Sequence, residues 1–177
     1  MNFTKEQLWR ALAHDVEIDG KMVKNPYKKW SDIDKSLPNK GIKILVPPPT
    51  SGTRDAWNSL VMKKGCTKAA KAAYKAQGIK PKKGCRKLRE DGLAIEAGEN
   101  DTLIVNKLAS DTELFGLFGY SYLVANKDKI KATKIEGKLP SLASIQDYSY
   151  PIARPLFFYV KKAHVGVCLL YTSPSPR

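Results

Sequence analysis

The chain of 177 residues contains only two histidines, His14 and His164, in unrelated contexts. That scarcity removes the usual general base, and without one no serine here is a credible nucleophile. No Gly-x-Ser-x-Gly elbow, no Gly-x-x-x-x-Gly-Lys-Ser/Thr phosphate loop and no Gly-x-Gly-x-x-Gly turn occurs. No close Cys/His spacing of the zinc type occurs either. Catalytic residues, a metal site and a cofactor are therefore not expected. Apolar runs are short. Leu156–Val160 has about a strand's length, far below the ~20 residues a membrane-spanning helix needs. The segment Met1–Leu8 lacks the basic and apolar regions of a secretory signal.

Acidic residues are also scarce, 17 against 31 Lys and Arg, so the formal charge is +14. Hydrophobic residues make up 42%, which excludes a disordered chain, and the length suffices for one domain with a sizeable core. The charge is concentrated. Residues 61–90 hold eleven basic groups and one acid, Glu90, while the remainder is close to neutral. Within them, Thr67–Gln77 is rich in Ala and Lys and reads as a helix, with Gly78 as its stop and Pro81 beyond. A solvated lysine face explains this stretch better than an anionic partner such as nucleic acid or lipid headgroups. Tyr74 is its one aromatic and Lys far outnumbers Arg, whereas nucleic-acid readers interleave aromatics and Arg.

Cys66 and Cys85 bracket this segment. Either they close it as a disulfide in an exported protein, or they remain buried thiols in a cytosolic one. The third cysteine, Cys168, opens the terminal segment CLLYTSPSPR. That segment follows a strand-like stretch with no turn signal and resembles a translated sequencing adapter. Residues 168–177 are read as a non-native tail and set aside.

Along the chain, Thr4 suits the cap of a helix over Lys5–Ala13, with Gln7 at the capping-box position and Leu8, Trp9 and Leu12 on one face. A loop is expected around Asp19-Gly20 and Asn25-Pro26, and a single turn at Ser31 or Asp32. Strands are expected at Ile42–Val46, Leu93–Ala97, Leu114–Phe118, Lys131–Ile135 and Leu156–Val160. Helices are expected over Ala56–Lys64, from just after Gly98-Glu99-Asn100-Asp101 to about Leu108, near Ser121–Asn126 and around Leu142–Gln146. This alternation argues for α/β architecture with a largely parallel sheet.

The segment most suggestive of function is Thr50–Asp55. A Ser51-Gly52-Thr53 turn between a strand and a helix places backbone N–H groups and the positive end of the helix dipole where an anion can sit. Gly52 permits close approach, the hydroxyls of Ser51 and Thr53 add donors, and Arg54 adds a planar cation suited to oxyanions. Simple helix capping by Ser51 or Thr53 fits the same residues equally well.

The motifs PPPTSGTRDAW, EAGENDTLIV, FGLFGYSYL and YPIARPLFFYVKKAHVG, in that order, closely resemble the phosphate-binding component of bacterial phosphate ABC importers. The resemblance runs from Met1 to Val167. It implies a type II periplasmic-binding-protein fold, in which two α/β lobes joined by hinge strands close over one phosphate. It implies solute capture and delivery to permease subunits of an inner-membrane importer, by a monomer in the periplasm, and not catalysis or nucleic-acid binding. On this resemblance residues 1–150 are the second lobe, and residues 151–167 are a hinge-crossing strand toward an absent first lobe. The chain is then a fragment that binds phosphate weakly on its own.

Carried over by motif, Ser51, Gly52 and Thr53 form the phosphate loop. Many relatives have an Arg four residues before the Ser. Here that position is Pro47, and Arg54 resembles the subset in which Ser-Gly-Thr-Arg supplies the cation. Asn100 and Asp101 lie in a segment that faces the cleft in relatives, although both also suit a helix N-terminus. An exported protein favours a Cys66–Cys85 disulfide. The alternatives are the same fold binding another oxyanion and, from another class, a basic nucleic-acid-binding module.

Overall fold

The computed structural model describes residues 1–164 apart from Glu99 and Phe158. The chain opens with β1 (Asn2–Phe3) and α1 (Lys5–Leu12). Thr4 caps α1 through its side chain and Gln7 returns a bond to the Thr4 N–H, so the expected capping box is formed. Leu8, Trp9 and Leu12 are buried as their spacing requires. Next, β2 (Asp15–Ile18) and β3 (Lys21–Lys24) pair antiparallel, where only a loop was expected. Asp19 and Gly20 have φ of 50° and 79°, the two positive angles of a type I′ hairpin turn. The hairpin is hard to read in sequence because Val16 alone among its strand residues is fully buried, so no clean alternation appears.

A single turn, α2 (Trp30–Ile33), precedes β4 (Ile44–Val46). The helix after β4 starts at Gly52, four residues before the expected Ala56, because Ser51 is its cap. It runs as α3 (Gly52–Trp57), widens into a π turn (Asn58–Met62) and continues as α4 (Lys63–Gly65). A Cβ on Gly65 would collide with the Lys5 carbonyl of α1, so glycine is what lets these helices pack so closely. Thr67 caps α5 (Lys68–Ala76), and Pro81 begins the short α6 (Pro81–Gly84). The rest of the chain supplies β5 (Ala94–Glu96), α7 (Asp101–Ser110), β6 (Phe115–Gly116), α8 (Tyr120–Ala125), β7 (Lys134–Ile135) and α9 (Leu142–Gln146).

The central sheet is parallel, in the order β5-β4-β6. Ile44 pairs with Ala94 on one side and Phe115 on the other, and Leu45 with Ile95 and Gly116. β4 is buried on both faces. Ile44 and Val46 enter the main core with Trp9, Trp30 and Phe3, while Leu45 enters a smaller core with Ala97 and Ile104 of α7. Phe3, Trp30 and Phe115 pack as an aromatic trio with ring centres 4.6–5.6 Å apart. β1 and β7 form a separate parallel pair.

A disulfide joins Cys66 and Cys85, closing the lysine-rich excursion at its base. α5 buries Ala70, Ala73 and Tyr74 and leaves Lys68 and Lys75 exposed, so its lysines form the solvated face expected. At the neck, the guanidinium of Arg89 grips Asp91 through two bonds of 2.8 and 2.7 Å and donates to the Ala11 carbonyl.

Leu156–Val160 is not a fifth strand. It is irregular at every described position, and Leu156, Phe157 and Tyr159 are 81%, 70% and 92% exposed. An extended run becomes a strand only beside a hydrogen-bonding neighbour, and none of the described strands pairs with it. The expected hinge-crossing strand, residues 151–167, is thus a turn at Pro151-Ile152, irregular chain and a 3₁₀ turn at Lys162–His164; residues 165–167 and the tail 168–177 lie outside the described residues.

Candidate anion-binding site

Three parallel strands end at one edge of the sheet, and each leads into a helix. In open α/β sheets this carboxyl edge is where ligands bind. β4 leads through the three prolines, which have no N–H to extend pairing, to Ser51 and α3. β5 leads to Asn100 and α7, and β6 leads to Gly119 and α8.

The Ser51 N–H donates to the Pro48 carbonyl at 3.0 Å, which folds the loop back beneath the helix start. The Ser51 hydroxyl accepts the Thr53 N–H at 3.2 Å, and its carbonyl accepts the Asp55 N–H at 3.1 Å. Capping is therefore real. It also fixes the direction of the first turn, which with the π turn and α4 forms one continuous helical segment behind it. Gly52 is exposed at the tip, where first-turn N–H groups have no intrahelical acceptor. Its φ is not positive, so glycine is not demanded by the backbone there, and an added Cβ would meet a guanidinium nitrogen at 3.5 Å, an ordinary contact.

Arg54 turns under this loop. It is 9% exposed, and its Nη1 donates to the Pro47 carbonyl at 2.6 Å. It lines a cavity of about 190 Å³ with Val46, Pro49, Leu88, Arg89 and Glu96. Burial lowers its pKa from the ordinary arginine value, and the charge of Glu96 acts in the opposite sense. Arg54 thus carries charge beneath the Ser51-capped helix start while bracing the strand end.

Asn100 caps α7, its Oδ1 accepting the Thr102 N–H at 2.9 Å. The Asp101 carboxylate accepts the Gly119 N–H at 3.3 Å, tying the start of α7 to the start of α8. The structure places both residues at the same sheet edge as Ser51, one strand over, with their side chains engaged in these helix-terminus bonds.

One residue escaped sequence reasoning. Arg154 donates from Nη2 to the Gly52 carbonyl at 3.0 Å. Its one sequence signal is an isolated Arg between apolar residues and Pro155, which gives no hint of a partner 102 positions earlier. Among the described residues no group of three or more His, Cys, Asp or Glu side chains is gathered to hold a metal ion, and no helix is long and apolar enough to cross a membrane.

A parallel sheet whose strand ends present capped helix starts and a buried cation is an arrangement that the type II periplasmic-binding-protein fold shares with other open α/β folds, and similarity to known proteins assigns this chain to that fold. The chain belongs to the PBP superfamily, whose domain model matches residues 1–176. It is 32% identical over 155 residues to the phosphate-binding protein PstS of Staphylococcus aureus (strain USA300), an alignment covering 82% of this chain and 39% of that protein. The fold is shared with the crystal structure of PstS from Borrelia burgdorferi, at a TM-score of 0.59 and 16% identity over 86% of this chain and 49% of that one. It is also shared with a possible phosphate binding protein from Planctomyces limnophilus DSM 3776, at a TM-score of 0.56 and 24% identity over 84% and 43%. The chain therefore spans less than half the length of each of these relatives.

Proposed function

We propose that this chain binds inorganic phosphate outside the cytoplasm and serves a phosphate ABC importer, delivering the ion to the importer's permease. Residues 1–150 act as one ligand-gripping lobe, and the segment from Pro151 onward leads toward a second lobe. Ser51, Gly52, Thr53 and Arg54 are its half of the ligand shell, with Asn100 and Asp101 at the neighbouring strand end. The protein is a solute-binding component and not an enzyme. The observation that carries this reading is the Ser51-capped helix start, seated on the carboxyl end of a doubly buried strand with Arg54 beneath it. Similarity to phosphate-binding relatives supports the choice of phosphate among oxyanions.

Amide chemical shifts of the ¹⁵N-labelled chain, titrated separately with phosphate and sulfate, test the reading. Saturable movement of the Gly52 and Thr53 amides by phosphate, with weaker movement by sulfate, is expected. Movement confined to Lys68–Lys83, or no movement with phosphate, overturns it. Equal response to both ions would point to a general oxyanion binder.

A further inference from the structure

Resting on that reading, we propose that Arg154 is a second cation of the site, a ligand contact and specificity-determining residue at its mouth. The contact with Gly52 places its guanidinium over the exposed tip of the loop. A Cβ built on Gly52 would lie 3.5 Å from the Arg154 Nη2, so the guanidinium sits in contact with the place a side chain at this position would take. An oxyanion approaching the Gly52 N–H enters the reach of this side chain. The Gly52 carbonyl uses one of the five guanidinium donors, and the rest suit a tetrahedral oxyanion.

The root of the side chain is held in place. Tyr150 and Ile152 pack against the main core, and the Ala153 N–H closes a turn onto the Tyr150 carbonyl at 3.0 Å. Burial pushes the Tyr150 hydroxyl up to about 12, so this anchor stays uncharged over the working pH range. Arg154 itself is exposed. The two arginines therefore divide the work. Arg54 is buried, braces Pro47 and shares its cavity with Glu96, so part of its field is already balanced. Among the described residues Arg154 meets a carbonyl and no carboxylate, so its charge is left to face an arriving anion. A second guanidinium adds attraction for an anion that the loop's N–H groups and Arg54 already favour.

The test uses the full chain and inorganic phosphate, with Arg154→Gln, Arg154→Lys and the pair Ser51→Ala/Thr53→Val. Arg154→Gln should weaken phosphate binding by about tenfold or more, as loss of a hydrogen bond to a charged group does. Arg154→Lys should restore part of the loss, because charge returns without the planar fork. The Arg154 Nε–H resonance should move as phosphate is added to the parent. Binding by the parent should strengthen as pH rises and the dianion forms, and that pH dependence should flatten in Arg154→Gln. If Arg154→Gln titrates like the parent, or the Nε–H resonance stays still, Arg154 only braces its segment and this inference fails. In that case loss of binding in Ser51→Ala/Thr53→Val leaves the phosphate reading standing. If the parent itself gives no Gly52 response, both fall together.

Discussion

Two regions of this chain carry positive charge in opposite ways. Residues 61–90 hold eleven basic groups, most of them exposed lysines on α4, α5, α6 and the adjoining turns, with Arg89 the buried exception. The loop proposed to bind the anion holds a single one, Arg54, buried beneath a capped helix start. The first region dominates the net charge, and the second has the geometry of a site. Exposed lysines are screened within about 8 Å at physiological salt and lose side-chain entropy when they bind. A buried guanidinium under oriented N–H groups acts in a low dielectric and is already ordered. On the proposed function, density of charge is a poor guide to the oxyanion site, and preorganised charge is a better one.

The strongest way to separate the regions is to cut the neck between them. Arg89 is 4% exposed, and Asp91→Asn removes its carboxylate partner, so unfolding free energy should fall by about 3–5 kcal/mol. Hydrogen bonds from Arg89 hold the Asp91 carboxyl well below the usual carboxylate range, with Lys28 assisting against desolvation. A depressed folded-state pKa stabilises above the unfolded value of about 3.9 and is lost as pH falls below it. Urea titrations at pH 7 and pH 3 should therefore show a parent that weakens in acid, and an Asp91→Asn variant that weakens less.

Opening the excursion comes next in size. Cys66→Ala/Cys85→Ala should lower stability by ~3 kcal/mol on the chain-entropy account. Denaturant midpoints measure this, and phosphate-induced shifts at Gly52 should persist at temperatures where the variant stays folded. Loss of those shifts from the folded variant would join the two regions into one functional unit.

Gly52→Ala acts in the other region. The position has no positive φ and room for a Cβ, so stability should hold or rise by a few tenths of a kcal/mol. Phosphate affinity should nevertheless fall by about tenfold (~1.4 kcal/mol), because the methyl occupies the ligand's approach. The smallest effect belongs to Lys68→Glu/Lys71→Glu/Lys75→Glu. This triple reversal should change phosphate affinity less than about twofold at physiological salt, since those charges are screened. A larger drop would give the lysine face a part in capture.

Local signals of the fold were legible in the sequence, and contacts across the chain were not. The Thr4–Gln7 box, the Thr67 cap and the helix Leu142–Gln146 follow from neighbours within four residues. The strand at β4 and the turn at Ser51 were legible for the same reason. The hairpin at Asp19-Gly20 was missed because its turn is explicit while its strands are mostly solvated. Leu156–Val160 was misread because apolar composition marks a potential to pair, and pairing needs a neighbour. The path of the Arg54 side chain to Pro47, and the reach of Arg154 to Gly52, depend on tertiary placement that no spacing rule encodes.

The exposed run at Leu156, Phe157, Tyr159 and Val160 also shapes how the protein behaves in bulk. At low ionic strength the +14 charge keeps copies apart, since like-charged molecules repel before sticky surfaces meet. Added salt shortens that repulsion while leaving apolar attraction intact. The chain should therefore stay dispersed in dilute buffer and self-associate as salt rises, with its colloidal behaviour set by four exposed apolar side chains that lie outside its densest run of charge in sequence.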